Sequence, residues 1–392
     1  MTTNTSNLIS RITVVDALRG FAIMSIMLLH NLEHFDFYFV PEISPAWLKA
    51  LDGKIWDTMF FLFSGKSYAI FALLFGFTFY IMDSNQQSKG IDFRARFLWR
   101  MALLLGFGII NSIFYEGDIL AFYAVLGVSL VFVNKLSNKT VLFIAIFLLL
   151  QPYEIARFIY ELLNPSYVPG NPASWQYFGK QSGYIPGDSF IKTAYGNLIN
   201  GRWAVILWSW EVGRCFQAPA LFMLGMLLGR KGLFITSDTQ KKFWIKVLTI
   251  AGSLFAVIFI YNKYLPKIVA GQVLNNQLGM IIGTWSNVAF MLVLVSTFIL
   301  LFQQQWGHKL LTRLEPFGKM SLTNYVMQSI IGACIYYGFG LGLYKYTGAT
   351  YCLLIGIVLF SLQLWFCKWW LSTHTQGPLE VVWHKLTWMK NK

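Results

Sequence analysis

The sequence predicts an all-α fold, a polytopic integral membrane helix bundle of about ten transmembrane helices. Three observations carry it. Ten stretches of 17 or more mostly apolar residues recur along the chain. Charged residues make up only 12% of the composition and hydrophobic ones 56%, where a soluble domain has about 25% charged. The net charge of +14 is spread over short loops rather than gathered in one patch, which argues for membrane topology and against nucleic acid.

The expected spans are 12–33, 57–82, 97–114, 118–134, 139–161, 204–229, 243–262, 278–302, 320–343 and 349–373. The first follows a short polar N-terminus without a small-residue cleavage site, so it reads as a retained helix. Basic loops ("KGIDFRARFLWR", Lys135 with Lys139, "RKGLFITSDTQKKFWIK", "HKLLTRLEPFGK") alternate with acidic ones, the segment Glu33 to Asp57 and "YEGD". That alternation puts both termini on the cytoplasmic side of the membrane. Residues 1–392 read as one transmembrane domain. Within it, 162–203, rich in Pro, Gly, Ser and aromatics, forms an extracytoplasmic loop or lid, or structural filler. Residues 376–392 form a cytoplasmic interfacial helix started by Gly377-Pro378. Cys215, Cys334, Cys352 and Cys367 lie in apolar stretches without metal-ligand spacing; they read as core residues, and no metal is expected.

Ionisable groups inside apolar runs are the candidate functional residues. "VDALRGFAIMSIMLLH" (15–30) carries Asp16, Arg19 and His30. Eleven residues of helix bring Arg19 and His30 within roughly 20° of one face and about 16 Å apart along the axis. Asp16 and Arg19 are i,i+3 neighbours able to pair. His30 reads either as an interfacial histidine or as a general base assisted by Glu33, His34 or Asp36. "WSWEVGRCFQAP" places Glu211 and Arg214 at i,i+3 on the outer end of the sixth span, as a local ion pair or a second wall facing His30. "FGKMSLTNYVMQS" sets Ser321, Asn324, Tyr325, Gln328 and Ser329 in a polar stripe, either interhelical glue or a cavity wall. Lys66 needs a partner such as Asp57 or Glu211. "GMLLG" (225–229) has small-xxx-small spacing, a frequent chance pattern. P-loop, dinucleotide and HExxH motifs are absent from the sequence.

"DALRGFAIMSIM", "GKSYAIFALLFGFTF", "GDILAFYAVLG", "LGMLLGRKGLF", "FGKMSLTNYVMQS" and "QGPLEVVWHKLTW" occur in the order and spacing of YeiB-like bacterial membrane proteins, and the chain resembles that family nearly end to end. Its N-terminal part also resembles acyltransferase-3 proteins and, more distantly, the heparan glucosaminide acetyltransferase type. Those proteins carry Arg, ten residues, then a catalytic His on the first helix, the interval of Arg19 and His30; in the YeiB-like pattern the His30 position is more often asparagine. The resemblance implies transfer of an acyl group from cytoplasmic acyl-CoA (acetyl-CoA) to an extracytoplasmic hydroxyl or amine on a sugar or lipid-linked glycan. Asp16, Arg19, Arg94, Arg96 and Arg100 would hold the CoA end, and His30, Glu33 and His34 the reaction end. Lys66, Glu211, Arg214, Asn324, Tyr325 and Gln328 would line the substrate cavity. The competing classes are a secondary transporter or lipid-handling protein, and a scaffold or sensor. The partners that follow are the lipid bilayer, the acceptor molecule and a second copy of the chain as a homodimer.

Overall fold

The structure, a computed structural model, describes residues 12–41, 45–167, 169–268 and 272–389. Among them every regular element is a helix. α1 (Thr13–Leu32) is the centre of the bundle: 72% of its apolar window is buried, against 11% for the lipid-facing span 238–265. Ala17, Leu18, Ala22, Ile23 and Met27 are fully buried, a helix apolar on nearly all sides, as an interior position requires.

Around it stand α2 (Ala46–Phe63) and α3 (Ser67–Gln87), one long span broken at Ser64–Lys66, then α4 (Arg94–Asn111) and the short pair α5 (Leu120–Gly127) and α6 (Ser129–Val133). α7 (Asn138–Leu149), capped by Ser137, is broken from α8 (Pro152–Leu163) at Gln151, whose φ is +61°. α9 (Ala173–Phe178) and α10 (Phe190–Gly196) lie in the outer segment; α11 (Arg202–Glu211) follows and bends by 74° into α12 (Arg214–Arg230). α13 (Asp238–Ile268) and α14 (Gln272–Phe302) form a long antiparallel hairpin. α15 (Gln305–Leu311) and α16 (Glu315–Lys319) lead into α17 (Ser321–Tyr336), α18 (Ala349–Leu371) and α19 (Pro378–Trp388).

Of the ten expected spans, six are helices long and apolar enough to cross a membrane, and the bent pair α11–α12 supplies a seventh. The other three fall short of that test for different reasons. α4 starts with three arginines inside the helix. The apolar run 118–134 is split at Val128, and α17 ends at Tyr336, after sixteen residues.

The outer segment 162–203 is packed down rather than extended. Ile185 is fully buried and its carbonyl accepts the Gly338 N–H at 2.9 Å, while Ser174 donates to Glu211. The expected helix over 376–392 is α19, with residues 390–392 outside the described residues. It docks on the bundle, with Trp383 and Trp388 packed inward against Arg100, Arg96 and Phe93. Glu380 accepts the N–H groups of Leu322 (2.7 Å) and Thr323 (3.1 Å), capping α17 from a distant part of the chain.

The tightest seam joins α3 to α12. A Cβ at Gly76 would stand 1.8 Å from the Phe222 carbonyl oxygen, and one at Gly225 would stand 1.8 Å from that of Leu73. The backbones therefore touch, and the small-residue spacing at 225–229 is a packing surface here, with Gly229 against Tyr80. Gly225→Val should lower stability by about 3 kcal/mol, the upper end of overpacking costs. Thermal unfolding of the detergent-purified protein measures this, with Gly106→Val, at an open position, as the variant that changes little.

Candidate functional site

At the N-terminal end of α1, Asp16 and Arg19 pair at 2.8 Å, and Arg19 also donates to Thr78 Oγ1 at 2.9 Å. Both line a cavity of about 600 Å³ enclosed by α1, α3, α4, α17 and α19. Lys89, Arg100 and Lys319 join Arg19 in its wall, and Phe75, Phe79, Phe97 and Met101 supply the apolar lining up to Tyr123 and Tyr325. Arg100 is buried, bonded to Thr387 Oγ1 (3.0 Å) and stacked 4.0 Å over Trp383. Of the other arginines assigned to the cofactor, Arg96 instead holds α19, donating to the Thr387 carbonyl at 2.7 Å and stacking on Trp388. Arg94 is turned away from the cavity and pairs with Asp92 at 2.7 Å.

At the other end of α1 the chain makes a turn that the sequence did not reveal. His34, Phe35 and Asp36 have φ of 47°, 56° and 67°, three consecutive left-handed residues without a glycine. The first closes α1 in a Schellman arrangement: His34 N–H bonds the Asn31 carbonyl (3.1 Å) and Phe35 N–H that of His30 (2.7 Å). Phe35 is fully buried among His30, Tyr115 and Tyr336, with its ring against Gly332. Reversal of the chain brings Asp36 back beside His30, so that one donor atom each of His30, Glu33 and Asp36 lies within 4.8 Å of the others. A metal ion could bridge such a set. Cysteine spacing predicts no metal, and the grouping of His30 with Asp36 is visible only once this turn is seen.

His30 Nδ1 is 2.9 Å from the Tyr115 hydroxyl and 3.4 Å from Glu33 Oε2, and Glu33 Oε1 accepts from Tyr38 at 2.9 Å. His34 takes no part. Its ring points to the opposite side, with Nε2 2.9 Å from the Thr347 carbonyl and the ring 5.0 Å from Tyr336; burial holds its pKa below the usual value. His34, assigned to the reaction end from the sequence, is thus turned away from His30, and Asp36 stands beside His30 instead. Burial pushes the Asp36 carboxyl up to about 7, reinforced by Glu33 and opposed by the charges of His30 and Arg214 and by the Tyr115 hydroxyl.

The second and third clusters divide. Glu211 and Arg214 form no ion pair among the described residues: Glu211 accepts from the Ser174 backbone (3.1 Å) and hydroxyl (2.5 Å), so it anchors the outer segment. Arg214 lies between the Tyr68 and Trp208 rings. Its charge acts on Asp36. Asn324 is consumed by the Phe317 carbonyl and Cys367, as interhelical glue. The Tyr325 hydroxyl accepts the Ile119 N–H at 3.2 Å, and Gln328 is fully buried with both amide atoms unpartnered among the described residues. Lys66 finds neither Asp57 nor Glu211. Its ammonium lies 5.8 Å from the rings of Phe61 and Phe290, a partly desolvated cation–π setting.

A helical bundle with this many apolar spans, and with charged groups turned into its interior, defines the chain as a polytopic membrane protein. Residues 228–390 match the family described as a protein of unknown function, DUF418. The chain is similar over nearly its whole length to "Uncharacterized protein YxaH" of Bacillus subtilis (27% identity, 97% of this chain, 94% of that one). It is similar also to "Uncharacterized 39.9 kDa protein in amylase 3'region" of Bacillus acidopullulyticus (24%; 96% and 94%) and to "Uncharacterized protein YeiB" of Escherichia coli (25%; 96% and 96%). The resemblance to the YeiB-like family is thereby shown. No solved structure matches the chain.

The raised carboxyls set a pH dependence. Glu116, in the loop after α4, is buried against Gln181 and Tyr184, and burial pushes it up to about 8. Folded pKa values above the unfolded ones favour the protonated, folded state. The stability is full below the ordinary carboxylate range and is lost as pH rises through about 7 and 8. Unfolding temperatures measured from pH 4.5 to 8.5 should fall across that window, and Asp36→Asn with Glu116→Gln should flatten the curve.

Proposed function

We propose that this chain is a membrane acyltransferase, moving an acyl group, an acetyl by the resemblance, from cytoplasmic acyl-CoA to an extracytoplasmic hydroxyl or amine of a sugar or lipid-linked glycan. One observation carries the reading. A cavity with Arg19 and Arg100 in its wall runs inward to Tyr123 and Tyr325, and Tyr325 bonds the loop whose Tyr115 holds His30. The two ends of α1 thus serve the two ends of one path, with both termini cytoplasmic in a bacterial inner membrane.

In this reading the phosphates of acyl-CoA pair with the bases at the cavity, and the pantetheine arm lies along its aromatic wall. His30, oriented by Glu33 and Tyr115, takes the proton of the acceptor O–H or N–H as that atom bonds to the thioester carbonyl carbon. The C–S bond then breaks, and the leaving thiolate takes the proton from the imidazolium. Tyr325, whose hydroxyl accepts from Ile119 and keeps its own proton, supplies a donor to the oxyanion. Arg94 and Arg96 drop out of donor binding, and Asn324, Lys66 and His34 out of the chemistry.

A second reading, a secondary transporter or lipid-handling protein, draws on the broken spans at Ser64–Lys66, Gln151 and Val212–Gly213, a feature of transporter sites. Labelled acetyl-CoA supplied to the cytoplasmic face of vesicles separates the two: covalent label on an outer-face glycan or lipid supports transfer, and uptake of unmodified solute supports transport. With His30→Ala, acyl-CoA binding should persist while transfer falls by about 10²–10⁴-fold, the usual contribution of a general base. Undiminished transfer by that variant would overturn the assignment.

A further inference from the structure

Two of the broken spans start new helices side by side. α3 begins after Gly65 (φ +73°) and α12 at Arg214 after Gly213 (φ +71°), the left-handed backbone that glycine adopts without cost. The seam at Gly76 and Gly225 holds the two helices parallel and in register, so their N-terminal turns lie together; the ring of Tyr68, on the first turn of α3, is 4.3 Å from the Arg214 guanidinium. Each start presents backbone N–H groups without intrahelical partners and the positive end of a helix dipole.

Two side chains add to this. The Arg214 guanidinium is clamped between the rings of Tyr68 (4.3 Å) and Trp208 (4.1 Å), and it makes no hydrogen bond or ion pair to a described residue. Such stacking occupies the faces of the group and leaves its edge, a fork of N–H donors, for a planar or tetrahedral oxyanion. Tyr68 is only 7% exposed, and its buried hydroxyl has no hydrogen-bond partner among the described residues. A buried donor of this kind implies an acceptor that arrives from elsewhere. The nearby acids are otherwise engaged: Asp36, which feels the charge of Arg214 without bonding it, with the Tyr115 hydroxyl, Glu33 with His30 and Tyr38, Glu211 with Ser174.

We propose that Arg214, the Tyr68 hydroxyl and the paired starts of α3 and α12 form a binding site for the phosphate group of a ligand. The site stands apart from acyl transfer, and would serve an acceptor substrate or a transported solute equally. Phosphate is the chemistry that helix starts and an arginine fork recognise in common. It can come from a phospholipid or lipid-linked headgroup, or from a free phosphate.

The test is equilibrium binding to the full chain in nanodiscs of phosphatidylcholine, using labelled inorganic phosphate in one arm and short-chain phosphatidic acid in the other. Saturable binding in either arm supports the site. Binding of inorganic phosphate assigns a free phosphate, and binding of phosphatidic acid alone assigns a lipid headgroup. Arg214→Ala should weaken the bound species at least tenfold, Arg214→Lys less, since it keeps the charge and loses the fork, and Tyr68→Phe severalfold. Lys180→Ala, a cation stacked on Tyr177 in the outer segment, should change nothing. Should Arg214→Ala fail to fold, Arg214→Lys and Tyr68→Phe decide. No saturable binding in either arm, equal affinity in those variants and the parent, or an equal loss in Lys180→Ala would overturn the proposal.

Discussion

The candidate site depends on the seating of one side chain, Phe35. Three left-handed residues in succession cost about 1–2 kcal/mol each, which the two local hydrogen bonds of the Schellman turn offset only in part. Full burial of the Phe35 ring contributes about 2–3 kcal/mol. The Tyr337 hydroxyl bond to its carbonyl at 2.6 Å adds about 1 kcal/mol. The ring fits because Gly332 leaves a space on α17 that a Cβ would fill at 2.0 Å. α17 therefore dictates the path of the chain after α1. The positions of Glu33 and Asp36 around His30 follow from that path, and so does the exit of His34 to the far side.

The broken spans are the second organising feature. In hydrocarbon a helix start is costly, because its first N–H groups lack partners. The structure gathers two such starts where the polar residues already stand, so a cost that would be scattered over the bundle is confined to one region. The backbone contact between α3 and α12 makes that possible. Side chains larger than glycine at positions 76 and 225 would separate the helices and move Arg214 off Tyr68.

Much of this was legible in the residues. Apolar length located seven of the ten expected spans, and helical phase put Arg19 and His30 on one face. The i,i+3 spacing paired Asp16 with Arg19, and the structure keeps that pair. What escaped has a physical reason in each case. A left-handed turn of His-Phe-Asp has no glycine to announce it, so Asp36 was ranked below His34. Spacing suggested that Glu211 and Arg214 pair, but Ser174, thirty-seven residues away in sequence, claims the carboxylate. The stripe on α17 was correctly seen as polar, yet only tertiary contact shows that Asn324 is spent on Phe317 and Cys367 while Gln328 has no described partner. Arg94 and Arg96 look alike in sequence and differ only in what α19 and Asp92 offer them.

Beside the full-length α1, α17 is a short helix. Sixteen residues span about 24 Å at the rise of an α-helix, some 6 Å less than a typical hydrocarbon core. Left to the lipid, that mismatch would pinch the bilayer around the helix. The chain closes the gap itself, with Glu380 of α19 on one end and the Ile185–Gly338 hydrogen bond on the other. Both ends of α17 are thus covered by other parts of the chain, which takes the place of a longer helix.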